Sequence, residues 1–304
     1  MTTLITTPAT TQDLTTLDIV KNELSITGNA EDPRIKRMIT SVSGLFAHLT
    51  GRKFGAEAVV EDISGHRQLR LVLDRIPILT VQSITRDLQD IESTEYLIED
   101  PEKGFLFREA GWRSHLPLAI NTAGTDLLNE LGEQVWRVSY NGGYYLPSFA
   151  GSLLGDKTIS GITLTATTVF ITSTAHGYVG GERVRLQDIV GTTSLNSREF
   201  GVDVTGITAN GFFLLDPKTS QREPGDGLTA WSSAGTAVVY PKLPFEIEDL
   251  AIQAIRSRRL TMDRDPTIKA ERLGDWNAVY EIGESGLPKS IEHRLMAFTR
   301  VGQA

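Results

Sequence analysis

Between residues 32 and 51 the apolar positions fall at steps of three and four: Ile35, Met38, Ile39, Val42, Leu45, Phe46 and Leu49. That spacing predicts a helix with one wholly apolar face. Asp32 is placed to cap its start, Pro33 suits the first helical position, and Thr50-Gly51 ends it. A shorter helix is expected over 17–24, capped by Thr15 or Thr16 and broken by Gly28-Asn29, with Asp18 in its first turn. After Phe54 the period changes to two. Leu69, Leu71 and Leu73 alternate with Arg70, Val72 and Asp74, as in a strand. Pro77 interrupts that strand, and Val81 to Ile84 resumes it. Tyr96–Ile98 and Phe105–Phe107 flank the turn-rich Asp100-Pro101-Glu102-Lys103-Gly104, a hairpin signal. A loop over 111–133 carries Trp112, Pro117 and Gly124. Val135 to Tyr140 is a further strand. Trp112 and Trp136 are expected in a core or an interface.

The chain then changes character. From about Gly151 to Tyr240 it is rich in Thr and Gly, with strands expected at 162–172, 182–186, 200–204, 212–215 and 236–240. Short strands at this spacing, with no helical period, suggest a small barrel or sandwich. Helical spacing returns in Ile247, Leu250, Ala251, Ala254 and Ile255. An extended piece is expected from Leu273 through Tyr280, and Pro288 opens a last helix containing Ile291, Leu295, Met296 and Phe298. If the Thr/Gly-rich block is removed, Asn141-Gly142-Gly143-Tyr144-Tyr145-Leu146-Pro147 leads directly into Leu243-Pro244 and the helix beyond. The expected class is therefore α+β: a helical bundle formed by the N- and C-terminal segments plus a β-rich portion, with an inserted all-β small barrel or sandwich. The expected division is a flexible Thr-rich arm over 1–16, a first part over 17–150, the insert over 151–240 and a second part over 241–304.

The chain has 304 residues, enough for two cores, and a formal net charge of −8. That balance argues against a surface built to grip nucleic acid, but it suits a surface that lets nucleic acid slide past. With no cysteine, disulfide and thiolate chemistry are excluded. No run of about 18 apolar residues predicts a transmembrane helix, and the N-terminus lacks the basic region of a signal peptide. His48, His66, His115, His176 and His293 show no metal-ligand spacing. No nucleophile elbow, phosphate loop or dinucleotide fingerprint occurs. Neither enzyme chemistry nor a cofactor is expected. Glu246 with Glu248, and Asp263 with Asp265, are expected as solvated charges. Arg256, Arg258 and Arg259 complement the dipole of their helix and are candidates for ion pairs across a subunit boundary, with phosphate contact as the alternative. Two rival readings are a carboxylate-based hydrolase and a carbohydrate- or surface-binding insert that stacks on Trp231, Tyr178 or Phe212.

The flanking segments resemble the head–tail connector (adaptor) proteins of tailed bacteriophages. The resemblance begins at Leu17-Asp18-Ile19-Val20-Lys21 and runs through Leu49-Thr50-Gly51-Arg52-Lys53-Phe54. It continues in Leu71-Val72-Leu73-Asp74-Arg75-Ile76-Pro77-Ile78, in Val138-Ser139-Tyr140-Asn141-Gly142-Gly143-Tyr144, and in Pro244, Leu250-Ala251 and Leu273-Gly274-Asp275-Trp276. The insert resembles a small β domain related to the first catalytic cysteine half-domain of ubiquitin-activating enzymes. That likeness rests on Thr174-Ala175-His176-Gly177-Tyr178, Gly181-Glu182-Arg183-Val184, Leu195-Asn196, Arg198-Glu199-Phe200 and Phe212-Phe213-Leu214-Leu215. The connector resemblance implies a structural virion protein of the neck, assembled in the host cytoplasm. It implies a ring, of twelve copies if it matches the portal, that docks below the portal protein and offers a platform to tail-side proteins. Double-stranded DNA would pass without sequence-specific binding, and no membrane is involved. Arg256, Arg258, Arg259, Phe298 and Arg300 are the candidate subunit or portal contacts.

Overall fold

The structure is a computed structural model that describes residues 2–64, 68–86, 89–112, 135–149, 156–261, 270–273, 276–279 and 286–299. The chain is α+β, and its strands pair antiparallel. It divides into two compact units. One, the β unit, comprises 1–9, 56–145 and 150–241; the other, the helical unit, comprises 10–55, 146–149 and 242–304.

The β unit begins with β1 (Thr2–Thr7), β2 (Glu57–Ser64), β3 (Gln68–Val72), β4 (Ile78–Arg86), β5 (Gln89–Asp90), β6 (Leu97–Asp100), β7 (Phe105–Trp112) and β8 (Val135–Gly142). These form a five-stranded sheet, β1-β2-β8-β4-β5, and a three-stranded sheet, β3-β7-β6. The two sheets share one core. Val59, Ile84 and Val138 come from the first, and Leu71, Ile98 and Leu106 from the second. Trp112 and Trp136 are buried in this core, edge to face with centroids 5.0 Å apart. The expected flexible arm is corrected for Thr2–Thr7. That segment runs along β2 from Thr2↔Asp62 to Thr7↔Ala58, as its β-branched threonines favour.

The core of these sheets holds charge on its inner side. Along β2 every second residue is buried, and that set is Glu57, Val59, Glu61 and Ile63. Glu57 pairs with buried Arg75 at 3.0 Å. Glu61 accepts from the Asp74 backbone N–H at 3.0 Å and from the Tyr140 hydroxyl at 2.6 Å, and that same hydroxyl oxygen accepts from Arg75 N–H at 2.8 Å. The buried carboxylates thus fasten the 74–75 turn over the sheet, because each meets a donor that replaces water.

The second part of the unit contains β9 (Lys157–Thr158), β10 (Gly161–Leu164), β11 (Val169–Thr172), β12 (Arg183–Gln187), β13 (Glu199–Val202), β14 (Gly211–Leu215) and β15 (Thr236–Val239). They form one seven-stranded sheet in the order β10-β11-β14-β13-β12-β15-β9. The single strand expected over 162–172 is corrected to a hairpin. Its turn is closed by Thr165 N–H donating to Thr168 O at 2.9 Å, with the two threonine hydroxyls 2.7 Å apart. Val169, Ile171, Val184, Leu186, Phe200, Phe212 and Leu214 make the core, which also takes in Leu79 and Tyr145 from the flanking chain. The flank holds this sheet by further bonds: Thr80 Oγ1 donates to Gly181 O at 2.6 Å, and Arg183 N–H donates to Tyr145 Oη at 3.1 Å. Tyr145 N–H donates to Pro241 O at 3.0 Å, which brings the two ends of the block together.

The helical unit contains α1 (Leu17–Glu23), α2 (Asp32–Thr50), α3 (Phe245–Thr261) and α4 (Lys289–Leu295). Thr16 caps α1, its hydroxyl accepting from Ile19 N–H. Asp32 was expected as the cap of α2 but is its first residue. Glu31 precedes it without a side-chain cap, and Asp32 instead meets Lys21 Nζ at 2.8 Å. Gly51 ends α2 in the left-handed region at φ 64°, which glycine adopts without a Cβ clash. The stripe of Ile35, Met38, Ile39, Val42 and Phe46 is buried, and α2 packs against α3 through it. On α3 the matching stripe is Ile247, Leu250, Ala251, Ala254 and Ile255. The extended piece expected over 273–280 is a two-stranded hairpin of β16 (Ala270–Leu273) and β17 (Trp276–Val279), because 270–273 also pairs; Tyr280 lies outside the described residues.

Candidate functional site

The candidate contacts lie on the helical unit, and α3 sends them in different directions. Arg256 and Arg259, three residues apart, share a side of α3, whereas Arg258, two from one and one from the other, points elsewhere, so the helix does not present all three as a single cluster. Arg259 makes a two-pronged ion pair with Glu31 at 2.9 and 3.0 Å. Hydrogen bonding from Arg259 lowers the Glu31 carboxyl below its ordinary pKa, against an opposing effect of burial. Arg258 Nη1 donates to Ser41 Oγ at 2.8 Å and so lies beside the outer side of α2. Arg256 is exposed and has no partner among the described residues. It lines a groove with Leu24 of the α1 end, Ile252 and Leu260 of α3, and Ile291 of α4, with Glu23 and Asp249 alongside. Phe298 is half-buried in a short 3-10 turn, Met296–Phe298, and its carbonyl accepts from Arg52 Nη1 at 3.4 Å. Arg300 lies outside the described residues. The four described candidates are therefore not one patch. Arg259 is engaged in holding α3 to the residue before α2, and Arg258 and Arg256 look outward from different places.

Apolar exposure accompanies the charge. Phe245 at the start of α3 is 79% exposed, Leu260 near its end 68%, and Met296 after α4 59%. Near the first of these, Arg294 meets Glu246 at 3.3 Å, which ties the C-terminal turn of α4 to the first turn of α3. Glu248 is held on its other side by Thr15 Oγ1 at 3.1 Å; burial raises its pKa while that hydrogen bond lowers it. These carboxylates are engaged in packing the helices. Glu246 and Glu248, expected as simply solvated, each have a partner.

The rival sites fare differently. Tyr178 and Phe212, two of the three proposed stacking residues, are buried, packed against each other and against His176 with centroids 5.1–5.3 Å apart. They cannot form an exposed platform. Trp231 is half-buried, and its indole N–H donates to Ala234 O at 2.9 Å. Glu182, a buried carboxylate of the kind a hydrolase would need, accepts from Val179 and Gly180 N–H at 2.8 and 2.7 Å; burial raises its pKa and those backbone bonds lower it. Its oxygens fix the 179–182 turn. Among the described residues no group of three His, Cys, Asp or Glu is placed to hold a metal ion. Glu57, Glu61 and Arg75 escaped the reading of the sequence. Their signal was the two glutamates falling in step with Val59 and Ile63, on the side of a strand that must be buried.

No curated protein matches the chain. Among solved structures, a chain from the neck of an empty GTA particle computed with C6 symmetry is similar at 12% identity and a TM-score of 0.35. It covers 51% of this chain and 77% of that one, and so slight a likeness carries no detail across. Residues 13–116, from the segment before α1 through β7, match the head completion protein (HCP) family, which supports a structural role at the head–tail junction of a virion.

Proposed function

We propose that the chain is a connector (adaptor) of the particle neck. It forms a ring that docks below the portal, extends the DNA channel and gives tail-side proteins their platform. The observation that carries this reading is the head completion match over residues 13–116. In support, the same residues contain α2, whose stripe meets α3 from the other end of the chain. The connector domain would comprise 17–150 and 241–304, its helices making the bundle. Residues 151–240 would be an inserted barrel or sandwich related to the half-domain of ubiquitin-activating enzymes. The close approach of Tyr145 and Pro241 supports an insertion that leaves the flanks continuous. The ring matches the portal in copy number, twelve in the simplest case. Its contact is head to tail, so each subunit offers two different surfaces. Double-stranded DNA passes without being gripped, and the protein is not an enzyme.

Electron microscopy and mass photometry of the purified chain, alone and with the portal ring, test the proposal. Rings are expected in one or both samples. A chain that stays monomeric and never joins the portal would overturn it.

A further inference from the structure

The net charge is unevenly divided. The β unit contains 23 acidic and 14 basic residues, and the helical unit 15 and 16, so the whole negative balance lies in the β unit. Within the helical unit the positive charge is concentrated on α2 and the residues after it. From Pro33 to Gly55 there are five Lys and Arg residues and no Asp or Glu. Lys36 and Arg37 stand on the exposed side of α2, without a partner among the described residues. One turn on is Ser41, where Arg258 adds its guanidinium to the same face. Acidic groups border this face: Asp13, 3.4 Å from Thr40 Oγ1, and at the start of the helix Asp32, four residues before Lys36 and held by Lys21.

Gly44 lies in the middle of this face. It is exposed, and a Cβ added there would meet nothing within 4 Å. A mid-helix glycine weakens a helix relative to alanine. No contact of the described chain requires one here. A partner whose backbone must come close to α2 would require it.

We propose that the outer face of α2, around Lys36, Arg37, Ser41 and Gly44, binds the acidic β unit of a second copy of this chain. The inference rests on the ring reading and names one of its two subunit surfaces. Charge complementarity selects the occupant. Wherever this chain assembles, a second copy brings the acidic surface in equal number, including Asp90 and Glu92, which are exposed and unpaired among the described residues. A heterologous contact of basic helical face on acidic β face can close into a ring.

The test uses the full chain, with the portal ring added if the chain alone is monomeric. Assembly is followed by sedimentation at about 50 mM and about 500 mM salt, where screening separates charged from apolar contacts. Association is expected to weaken as salt rises. The double variant Lys36→Glu/Arg37→Glu should raise the dissociation constant on the order of tenfold or more. Gly44→Leu should also block association while its melting temperature is unchanged or higher, an outcome that loss of folding cannot imitate. If wild type forms rings and both variants form them equally well, the inference fails and the ring reading stands. If the double variant assembles normally but loses binding to duplex DNA, the face is a phosphate surface and the inference fails. If wild type neither self-associates nor joins the portal, both fall.

Discussion

The two units differ in how many of their basic side chains are paired. Nearly every described arginine of the β unit is paired with a carboxylate: Arg70 with Glu99, Arg75 with Glu57, Arg108 with Glu95, Arg137 with Asp62, Arg183 and Arg185 with Glu199, Arg198 with Glu223, and Arg222 with Asp203. Arg86 lies over the Trp136 ring. Several stack on aromatics as well, Arg185 at 3.8 Å from the Tyr240 centroid and Arg222 at 4.0 Å from Phe213. Among the described residues of the helical unit Lys36, Arg37, Lys53 and Arg256 have no partner, and Leu260 is exposed in the groove that Arg256 lines. In a sheet built from nonlocal pairs, opposite charges on facing residues such as Asp62 and Arg137 add to a register set by the apolar pattern. A helix closes its own backbone bonds and needs only one face for packing, so its other face is free for partners.

The contrast breaks first at the helical core. Phe46 is fully buried on the α2 stripe, so Phe46→Ala should destabilise the unit by roughly 3–5 kcal/mol. Urea denaturation followed by far-UV circular dichroism measures it. A loss below about 1 kcal/mol would mean that the α2 face is not the core, and its outward charges could then be structural.

The second effect separates the units by pH. Tyr96, Tyr140, Tyr145 and Tyr178 all belong to the β unit, and burial raises the pKa of each, Tyr96 to about 12. In the unfolded chain a tyrosine ionises near 10, whereas the folded one keeps its proton. The folded state therefore binds more protons from about pH 10 upward, and stability falls as pH rises through that window. It is fully present below pH 10. By pH 12 Tyr96 alone should contribute a loss on the order of 2 kcal/mol. No described residue of the helical unit is a tyrosine. Phenolate absorbance should thus appear together with loss of the near-ultraviolet dichroism of the β unit. Ionisation of all seven tyrosines of the chain near pH 10 with the fold intact would show these four rings to be accessible.

The same difference explains what was legible in the sequence. Helix α2 could be read almost to the residue, because a 3.6 period, a proline at the start and a glycine at the end are local signals. Strand β1 could not. TTLITT looks like a loose arm until Glu57–Ser64, fifty residues later, supplies its partner. The turn at Thr165–Thr168 was hidden for another reason: threonine hydroxyls close it, with no glycine or proline to mark it. The arginines of α3 were visible as a run, but a run is not a patch, since Arg259 turns to Glu31 and Arg258 to Ser41. Resemblance of the flanks pointed to the head–tail junction; the residues alone pointed only to a protein whose work is contact.

The smallest effect sharpens the comparison most, because it sets two glycines against each other. Gly142, at the end of β8, faces the carbonyl oxygen of Arg75, and an added Cβ would collide with that backbone atom. Gly142→Ala should therefore destabilise the β unit by about 1–3 kcal/mol, the usual range for overpacking. Gly44 has open space around it and an ordinary helical backbone, so Gly44→Ala should stabilise the helical unit by about 0.5–1 kcal/mol. Thermal melts of the two variants against wild type give both signs. The first glycine is required by the fold. The second is tolerated against the preference of the helix, and no contact of the described chain requires it. A Gly44→Ala variant less stable than the parent would place a reason for this glycine inside the chain, and the α2 face would no longer stand apart from the packed sheets.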